Sequence, residues 1–179
     1  MAGPHQLDPE GLGDHVDRLY RAAWGLCGSR EDAEDLVQET FMRVLRKPRL
    51  VRSEDDLGYL LRTLRNTFFS QRRAASRRVQ ATPAGDDLEQ LADASVGDLE
   101  ARIESAQLYS EISNLPPDFR DALIAIDLVG LSYGEAARAL RVREATITTR
   151  LHRARKRLAG ALAAEYGRAT GDAPGRAGR

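Results

Sequence analysis

One stretch of the chain, Glu31 to Leu45, constrains the fold more than any other. Its sequence, EDAEDLVQETFMRVL, places apolar or small residues at positions 33, 36, 37, 40, 41, 44 and 45. That spacing draws one face of an α-helix. The opposite face begins with four acidic residues, which favour the positive end of a helix dipole. The stretch therefore predicts a helix with an apolar face for a core and an acidic face for solvent or a partner.

Similar apolar stripes recur along the rest of the chain. Aromatic residues make up only 6% of the sequence, so the core is built mostly from aliphatic side chains, which favours helices over sheets. Gly28 and Ser29 end one helix and cap the next, and Pro48 stops the second. We predict an all-α fold, with helices at residues 14–27, 31–46, 57–73, 102–113, 118–129, 133–140 and 144–163.

The charges are segregated along the chain, although the net charge is zero. Residues 43–78 and 138–157 are strongly basic, whereas residues 86–104 are acidic. Two basic modules joined by an acidic connector predict two contacts with one polyanion. The predicted organisation is a disordered N-terminus (1–12), a small helical domain (13–78), a flexible acidic linker (79–101), a second small helical domain (102–165) and a disordered tail (166–179).

The second domain has the layout of a helix-turn-helix. Ser132 and Glu135 have capping-box spacing at the start of a short helix, and a tight turn then leads into a basic helix. A recognition helix presents its N-terminal half to bases in the major groove. The alternative is a solvated basic helix. The candidate base readers are Thr146, Thr148, Thr149, His152 and Arg153, and the candidate phosphate contacts are Arg143, Arg150, Arg155 and Arg157.

The helix predicted at residues 57–73 interleaves aromatic and basic side chains. Aromatic rings can stack on unpaired bases while guanidinium groups follow the backbone, so this surface suits single-stranded nucleic acid. We expect Phe68 to be a core residue. For Tyr59 and Asn66, which face away from the apolar stripe, an ordinary amphipathic edge remains open as an alternative.

Several other classes of protein receive no support from the sequence. The three histidines are far apart and lack cysteine or acidic partners at ligand spacing, so no metal site or other cofactor site is expected. No catalytic constellation is visible, so we expect no enzyme. No apolar run is long enough to cross a membrane, and no secretion signal precedes the first helix. The single cysteine, Cys27, fits a buried residue in the cytoplasm.

Two parts of the sequence resemble a known family. The segments DAEDLVQETFMRVL at 32–45 and YLLRTLRNTFFSQRR at 59–73 are similar to region 2 of bacterial group IV, or extracytoplasmic-function (ECF), sigma factors of the sigma-70 family. The segment LPPDFRDALIAIDLVGLSYGEAARALRVREATITTRLHRARKRL at 115–158 resembles their region 4. The order and spacing of the two halves also match. The resemblance implies a subunit that binds core RNA polymerase and promoter DNA, with an anti-sigma factor as a further partner.

The resemblance also implies a role for each surface. The acidic helix would dock on the largest polymerase subunit through Glu34, Asp35, Gln38 and Glu39. The loop at residues 47–58 would receive a flipped base of the −10 element, and the linker would thread through the polymerase. The last helix would bind the −35 element through Arg143, Arg150 and the base readers named above. The residues implied in binding and melting the −10 region are Tyr59, Arg62, Arg65 and Asn66.

This sequence departs from the family pattern at several positions. Tyr59 stands where tryptophan is common, and Arg141 stands where the turn of the helix-turn-helix usually carries glycine or a small polar residue. Thr148 replaces a basic residue, which puts the usual −35 preference in doubt. Two alternatives to a sigma factor remain open: a sigma mimic that sequesters an anti-sigma factor, and a helix-turn-helix regulator that acts without polymerase.

Overall fold

Helices dominate the computed structural model, which describes residues 4–7, 9–47, 50–52, 56–79 and 96–171. The predicted all-α class with two helical units is confirmed. Besides the helices, the described residues form a single antiparallel pair of three-residue strands. The predicted linker lies largely outside the described residues, because no structure is described for residues 80–95.

The first unit packs three long helices around an aliphatic core. Leu19, Leu36, Leu60 and Leu64 are fully buried where these helices meet. The helix predicted at 57–73 begins one residue earlier than expected and continues to Val79. The elements of this unit are β1 (Pro4–Gln6), α1 (Pro9–Gly13), α2 (Val16–Cys27), α3 (Arg30–Arg46), β2 (Leu50–Arg52) and α4 (Asp56–Val79).

The N-terminal segment corrects the prediction that residues 1–12 are disordered. β1 pairs with β2 in antiparallel register, with His5 opposite Val51. Leu7 and Leu12 are buried in the core of the first unit. Two isolated leucines show no helical periodicity, so this packing could not be predicted from the sequence. Their burial and the strand pairing together hold the N-terminal segment against the first unit.

The second unit is also helical, with one irregular element. The helix predicted at 118–129 starts at Pro117, and its second half is a π-helical turn with wider hydrogen bonding. The last helix extends to Gly171, past the point where a disordered tail was expected. The elements are α5 (Val96–Asn114), α6 (Pro117–Leu123), the π-helical turn (Ile124–Leu128), α7 (Tyr133–Leu140) and α8 (Glu144–Gly171).

The predicted caps are present at both helix junctions that the sequence marked. Gly28 adopts φ 83° at the end of α2, and the Ser29 hydroxyl accepts a hydrogen bond from the Asp32 amide at 3.2 Å. At the start of α7 the Ser132 hydroxyl accepts from the Glu135 amide, and the Glu135 carboxylate accepts from the Ser132 amide at 2.7 Å. These bonds satisfy helix-end amides that would otherwise lack partners.

The two units pack directly against each other and share a continuous core. Gly25 on α2 makes the close approach possible. A Cβ at this position would lie 2.9 Å from Cδ1 of Leu128, 3.2 Å from Cγ1 of Ile124 and 3.3 Å from Cγ2 of Ile112. Trp24, the neighbouring residue, stacks on Tyr109 of α5.

Candidate polymerase and nucleic-acid interfaces

The acidic face of α3 is open to solvent over most of its length. Glu34, Asp35 and Gln38 are exposed, whereas Glu39 is half-buried. Glu39 accepts a hydrogen bond from Nε of Arg43 at 2.8 Å, one helical turn further on. Three of the four predicted polymerase contacts are therefore presented without restraint, and the fourth is held in an ion pair along its own helix.

The predicted −10 residues lie on α4, but the second unit covers part of this face. Tyr59, Arg62 and Arg65 are half-buried and Asn66 is exposed. Nε of Arg62 donates to the Ala139 carbonyl oxygen at 3.3 Å, and its Nη2 donates to the Arg138 carbonyl oxygen at 3.2 Å. The sequence predicted an open surface here, so the structure adds a contact that the sequence did not indicate.

Arg65 makes the second polar contact of α4 with the other unit. Its Nε donates to Oδ2 of Asp121 on α6, and the Asp121 side chain is only 3% exposed. Burial raises the pKa of the Asp121 carboxyl above its ordinary value, although the neighbouring guanidinium groups of Arg65 and Arg120 lower it. Sequence reasoning missed Asp121 and Arg120, because a charge within an amphipathic stretch is usually on the solvent face.

A cavity of about 660 Å³ lies between α4 and the helix-turn-helix. Tyr59, Arg62 and Asn66 line its α4 side, and Arg138 and Arg141 line the opposite side. Guanidinium groups on both walls give the cavity a positive potential. The loop expected to receive a flipped base is adjacent, but residues 48–49 and 53–55 of it lie outside the described residues.

Phe68 is a core residue, as predicted. It is 4% exposed and lies against the guanidinium groups of Arg72, at 5.6 Å, and of Arg120 from the second unit, at 5.4 Å. Phe69 lies beside it in an edge-to-face arrangement and carries the guanidinium group of Arg65 at 5.1 Å. Both rings therefore make cation–π contacts within the protein, and neither ring has a free face for stacking on a base.

Helix α8, the predicted recognition helix, presents most of its predicted contacts to solvent. The half-buried Thr146 and Arg150 are the exceptions, and Arg150 donates from Nη2 to Oδ2 of Asp118 at 2.6 Å. Arg155, a predicted phosphate contact, donates from Nε and Nη2 to the two carboxylate oxygens of Asp127. The exposed members of the set are Arg143, Thr148, Thr149, His152, Arg153, Arg155 and Arg157. The guanidinium group of Arg157 lies over the Phe119 ring at 5.3 Å.

Local bonds set the chemistry of the two exposed threonines. The hydroxyl of Thr148 donates to the Glu144 carbonyl oxygen at 3.3 Å, and that of Thr149 donates to the Ala145 carbonyl oxygen at 3.0 Å. Each hydroxyl oxygen keeps lone pairs that can accept a hydrogen bond, and each exposed side chain also carries a methyl group. These threonines can therefore accept from a base amino group or contact a thymine methyl group.

The turn before α8 holds Arg141 in a backbone conformation that is unfavourable for residues other than glycine. Arg141 adopts φ 57° and ψ 45°, the left-handed region, and is the one non-glycine residue with positive φ in the described part of the chain. A Cβ atom is strained there, which explains why this position suits glycine. The departure noted in the sequence is therefore accommodated by strain in the backbone.

Cys27 is not a reactive thiol in this structure. Burial raises the pKa of the Cys27 thiol to about 12, and the nearby carboxylate of Asp32 adds to the effect. The thiol form therefore persists at neutral pH. Among the residues that the structure describes, no cluster of histidine, cysteine or acidic side chains could hold a metal ion. Within the same residues, no helix is both long and apolar enough to span a membrane.

Comparisons with known proteins agree on one family. The family profile of sigma-70 region 2 matches residues 12–78, and that of sigma-70 region 4 matches residues 105–158. The ECF RNA polymerase sigma factor SigE of Mycolicibacterium smegmatis is 38% identical over 152 residues, which cover 83% of this chain and 59% of SigE. The ECF RNA polymerase sigma factor EcfG of Rhodopseudomonas palustris is 32% identical, with 82% of this chain and 80% of EcfG covered.

A solved structure shows the same arrangement of helices. It is the sigma factor RpoE of Bartonella quintana in complex with the anti-sigma factor NepR, with a TM-score of 0.66 and 29% identity. The match covers 86% of this chain and 94% of that one. The similarity therefore extends over both helical units.

Proposed function

The chain belongs to the ECF sigma factors of the sigma-70 family, and from that premise we propose that it directs core RNA polymerase to a specific set of promoters. It would bind the polymerase through region 2 and promoter DNA through regions 2 and 4, without being an enzyme itself. The observation that carries the proposal is the pairing, on one chain, of an exposed acidic face on α3 with an exposed reading face on α8.

The acidic face supports polymerase docking. Glu34, Asp35 and Gln38 project from a helix whose opposite side is fixed by buried Leu36 and Thr40, so their orientation is set by the core. Helices α4 and α8 are basic, whereas this face of α3 is negative, so it would repel DNA and attract a basic protein surface. Docking through this face would leave the DNA-binding helices available.

The face of α8 supports reading of a −35 element. The capping box fixes the start of α7, and the turn at Arg141 then sets the angle at which α8 leaves. Arg143 at the start of this face suits a phosphate contact, while Thr148, Thr149, His152 and Arg153 suit base edges. Arg150 is committed to Asp118, so we assign it a smaller share of the contact.

The face of α4 supports recognition of an opened −10 element. Tyr59 and Asn66 lie beside Arg62 on the wall of a positively charged cavity, an arrangement that suits an aromatic stack, an amide contact to a base edge and a phosphate contact. Arg65 would follow the backbone one turn further along the helix. Strand opening would then be driven by binding to the separated strand.

An anti-sigma factor is a further proposed partner. The similar sigma factor RpoE is described in complex with the anti-sigma factor NepR, and its match covers both units of this chain. We infer that this protein acts in the cytoplasm with the polymerase and is held inactive there by a protein of that class.

Run-off transcription with purified core polymerase on a library of genomic promoter fragments tests the proposal. We expect discrete transcripts that depend on adding the protein. If no fragment yields such a transcript while −35 duplex binding is retained, a regulator that acts without polymerase becomes the better description. If both DNA binding and transcription are absent while an anti-sigma factor is bound, the chain is a sigma mimic.

A further inference from the structure

In the first unit, the wall of the proposed −10 cavity is not formed by α4 alone. Leu50 and Val51 of β2 line the cavity together with Tyr59 and Asn66 of α4. Leu50 is 69% exposed, whereas Val51 is 8% exposed, as expected for neighbours that point to opposite faces of a strand. The strand therefore presents one exposed aliphatic side chain on the same wall as the tyrosine that is proposed to stack on a base.

Strand β1 is the partner that fixes the position of β2. Each strand has three residues, and strands of that length have no stable conformation by themselves. His5 lies opposite Val51 and Gln6 lies opposite Leu50, and no other strand pairs with β2 among the described residues. A slip of one residue in this register would turn Leu50 to the opposite face of the ribbon. The pairing therefore sets which side chain β2 presents to the cavity.

Strand β1 is anchored in turn by the residues that follow it. Leu7 is 4% exposed and Leu12, on α1, is 3% exposed, and both belong to the core of the first unit. Burial of these two side chains gives the ribbon a fixed support that two short strands lack by themselves. A continuous set of contacts therefore leads from the core through β1 to the exposed side chain of Leu50.

We propose that β1 is a positioning element for −10 recognition, because its pairing with β2 holds Leu50 against an unpaired base that stacks on Tyr59. The inference rests on the proposed function, since it takes this wall of the cavity as part of the −10 surface. An aliphatic wall at a fixed distance from Tyr59 discriminates bases by size and shape, whereas a movable wall accepts them alike. The N-terminal strand thereby sets the preference at one base of the −10 element and has no part in −35 reading.

The backbone donors of β1 allow the pairing to be tested without a change in the core. Alternate residues of an antiparallel strand donate to its partner, and Pro4 has no amide hydrogen. The donor from β1 to β2 is therefore the amide of His5 or that of Gln6. His5→Pro combined with Gln6→Pro removes this donor, whichever residue carries it. His5→Ala combined with Gln6→Ala is the matched control, because it removes the same side chains and keeps both amides.

The readout is binding of each full-chain variant, assembled with core polymerase, to labelled single strands that carry the −10 element of a promoter transcribed by the protein, with one base changed at a time. At one position we expect the wild type and the alanine control to prefer one base by roughly tenfold, the size of one base stack. The proline variant should lose this preference and keep the others, with −35 duplex binding unchanged. A retained preference, an equal loss at every position, or the same loss in the alanine control overturns the inference.

A second pair of variants acts on the anchor instead of the strand. Leu7→Asp places a charge at a buried position and should release β1, whereas Leu7→Met keeps an apolar side chain there. We expect Leu7→Asp to lose the same base preference as the proline variant and Leu7→Met to retain it. A Leu7→Asp protein that keeps its helical circular dichroism and the preference overturns the inference. If the wild type itself neither binds −10 strands nor supports transcription, the proposed function fails instead.

Discussion

The indole ring of Trp24 stacks on the phenol ring of Tyr109, with ring centroids 4.1 Å apart and planes 11° apart. Trp24 lies on α2 of the first unit, and Tyr109 lies on α5, the first helix of the second unit. Trp24 is the single tryptophan of the chain. Its fluorescence therefore reports on the contact between the two units without interference from another indole.

Tyr109→Ala should loosen this contact and expose Trp24 to water. An aromatic pair of this kind contributes roughly 0.5–1.5 kcal/mol beyond the area that it buries. The emission maximum of Trp24 should move to longer wavelength under native conditions, while the helical circular dichroism is retained. Tyr133→Ala is the control, because Tyr133 is 37% exposed on α7. An unchanged emission maximum in Tyr109→Ala would contradict the stacked arrangement.

The buried carboxyl of Asp121 should make stability depend on pH. It faces Arg65 from α4 and Arg120 and Asp118 from its own helix, and burial raises its pKa above the ordinary value of 3.8. The folded protein then binds this proton more tightly than the unfolded chain. The contribution of the protonated Asp121 carboxyl to the free energy of unfolding is fully present below the ordinary pKa. It is lost as pH rises through the raised pKa.

Denaturant unfolding of the wild type and of Asp121→Asn, from neutral pH downward, measures this contribution. The free energy of unfolding of the wild type minus that of the variant should increase as pH falls. For one proton the slope is at most about 1.4 kcal/mol per pH unit. A difference that decreases as pH falls would show that the ion pair with Arg65 outweighs burial.

The helices were predictable because their signals are local. The apolar stripe of α3, the Gly28–Ser29 junction and the capping box of Ser132 and Glu135 are each encoded within a few residues. The strand pair of β1 and β2 was not predictable, because it joins segments more than 40 positions apart through backbone bonds. Nothing in the side chains of residues 4–6 marks that partner.

The closed packing of the two units was equally hidden. It depends on Gly25 of α2 and on Asp121. From the sequence alone, a glycine within a helix indicates only a lower helix propensity, and an aspartate indicates a surface charge. Residue type and helical face together indicate the exposed positions on α3 and α8. They do not show that Arg62, Arg65 and Arg150 have protein partners, because those partners lie 32 to 77 residues away.

Arg141→Gly should stabilise the protein. The left-handed conformation destabilises a residue that carries a Cβ by about 1–2 kcal/mol, and glycine removes this strain. Glycine also increases the entropy of the unfolded chain, which offsets part of the stabilisation. The net increase in the free energy of unfolding should be roughly 0.5–1 kcal/mol. Arg141→Ala keeps the Cβ and removes the charge, so it should give no such increase. Equal stabilisation by both substitutions would point to charge rather than backbone strain.

Asp35→Arg combined with Gln38→Ala should weaken binding to core polymerase. Both side chains are exposed on α3, and reversing a charge in an electrostatically complementary interface should reduce affinity at least tenfold. Binding of a −35 duplex should be unchanged, because it uses α8. Asp17→Arg, an equivalent charge reversal at an exposed position of α2, is the control. Equal losses of polymerase and duplex binding would contradict the assignment of this face.

Arg153→Ala and Arg150→Ala should differ in their effect on −35 duplex binding, although the two residues lie less than one turn apart on α8. Arg153 is exposed, whereas Arg150 is engaged with Asp118 at 2.6 Å. A bidentate contact to guanine discriminates by about 1–3 kcal/mol, so Arg153→Ala should lose roughly tenfold or more in affinity and relax the preference at one base pair. Arg150→Ala should lose less affinity, and the loss should be the same for all duplex sequences.

Fluorescence anisotropy with a set of singly substituted duplexes at several salt concentrations distinguishes these two outcomes. Arg153→Ala could instead weaken binding to all duplexes alike and lower the slope of log K against log salt concentration by about one. In that case Arg153 contacts a phosphate, and the base-reading residues are Thr148, Thr149 and His152.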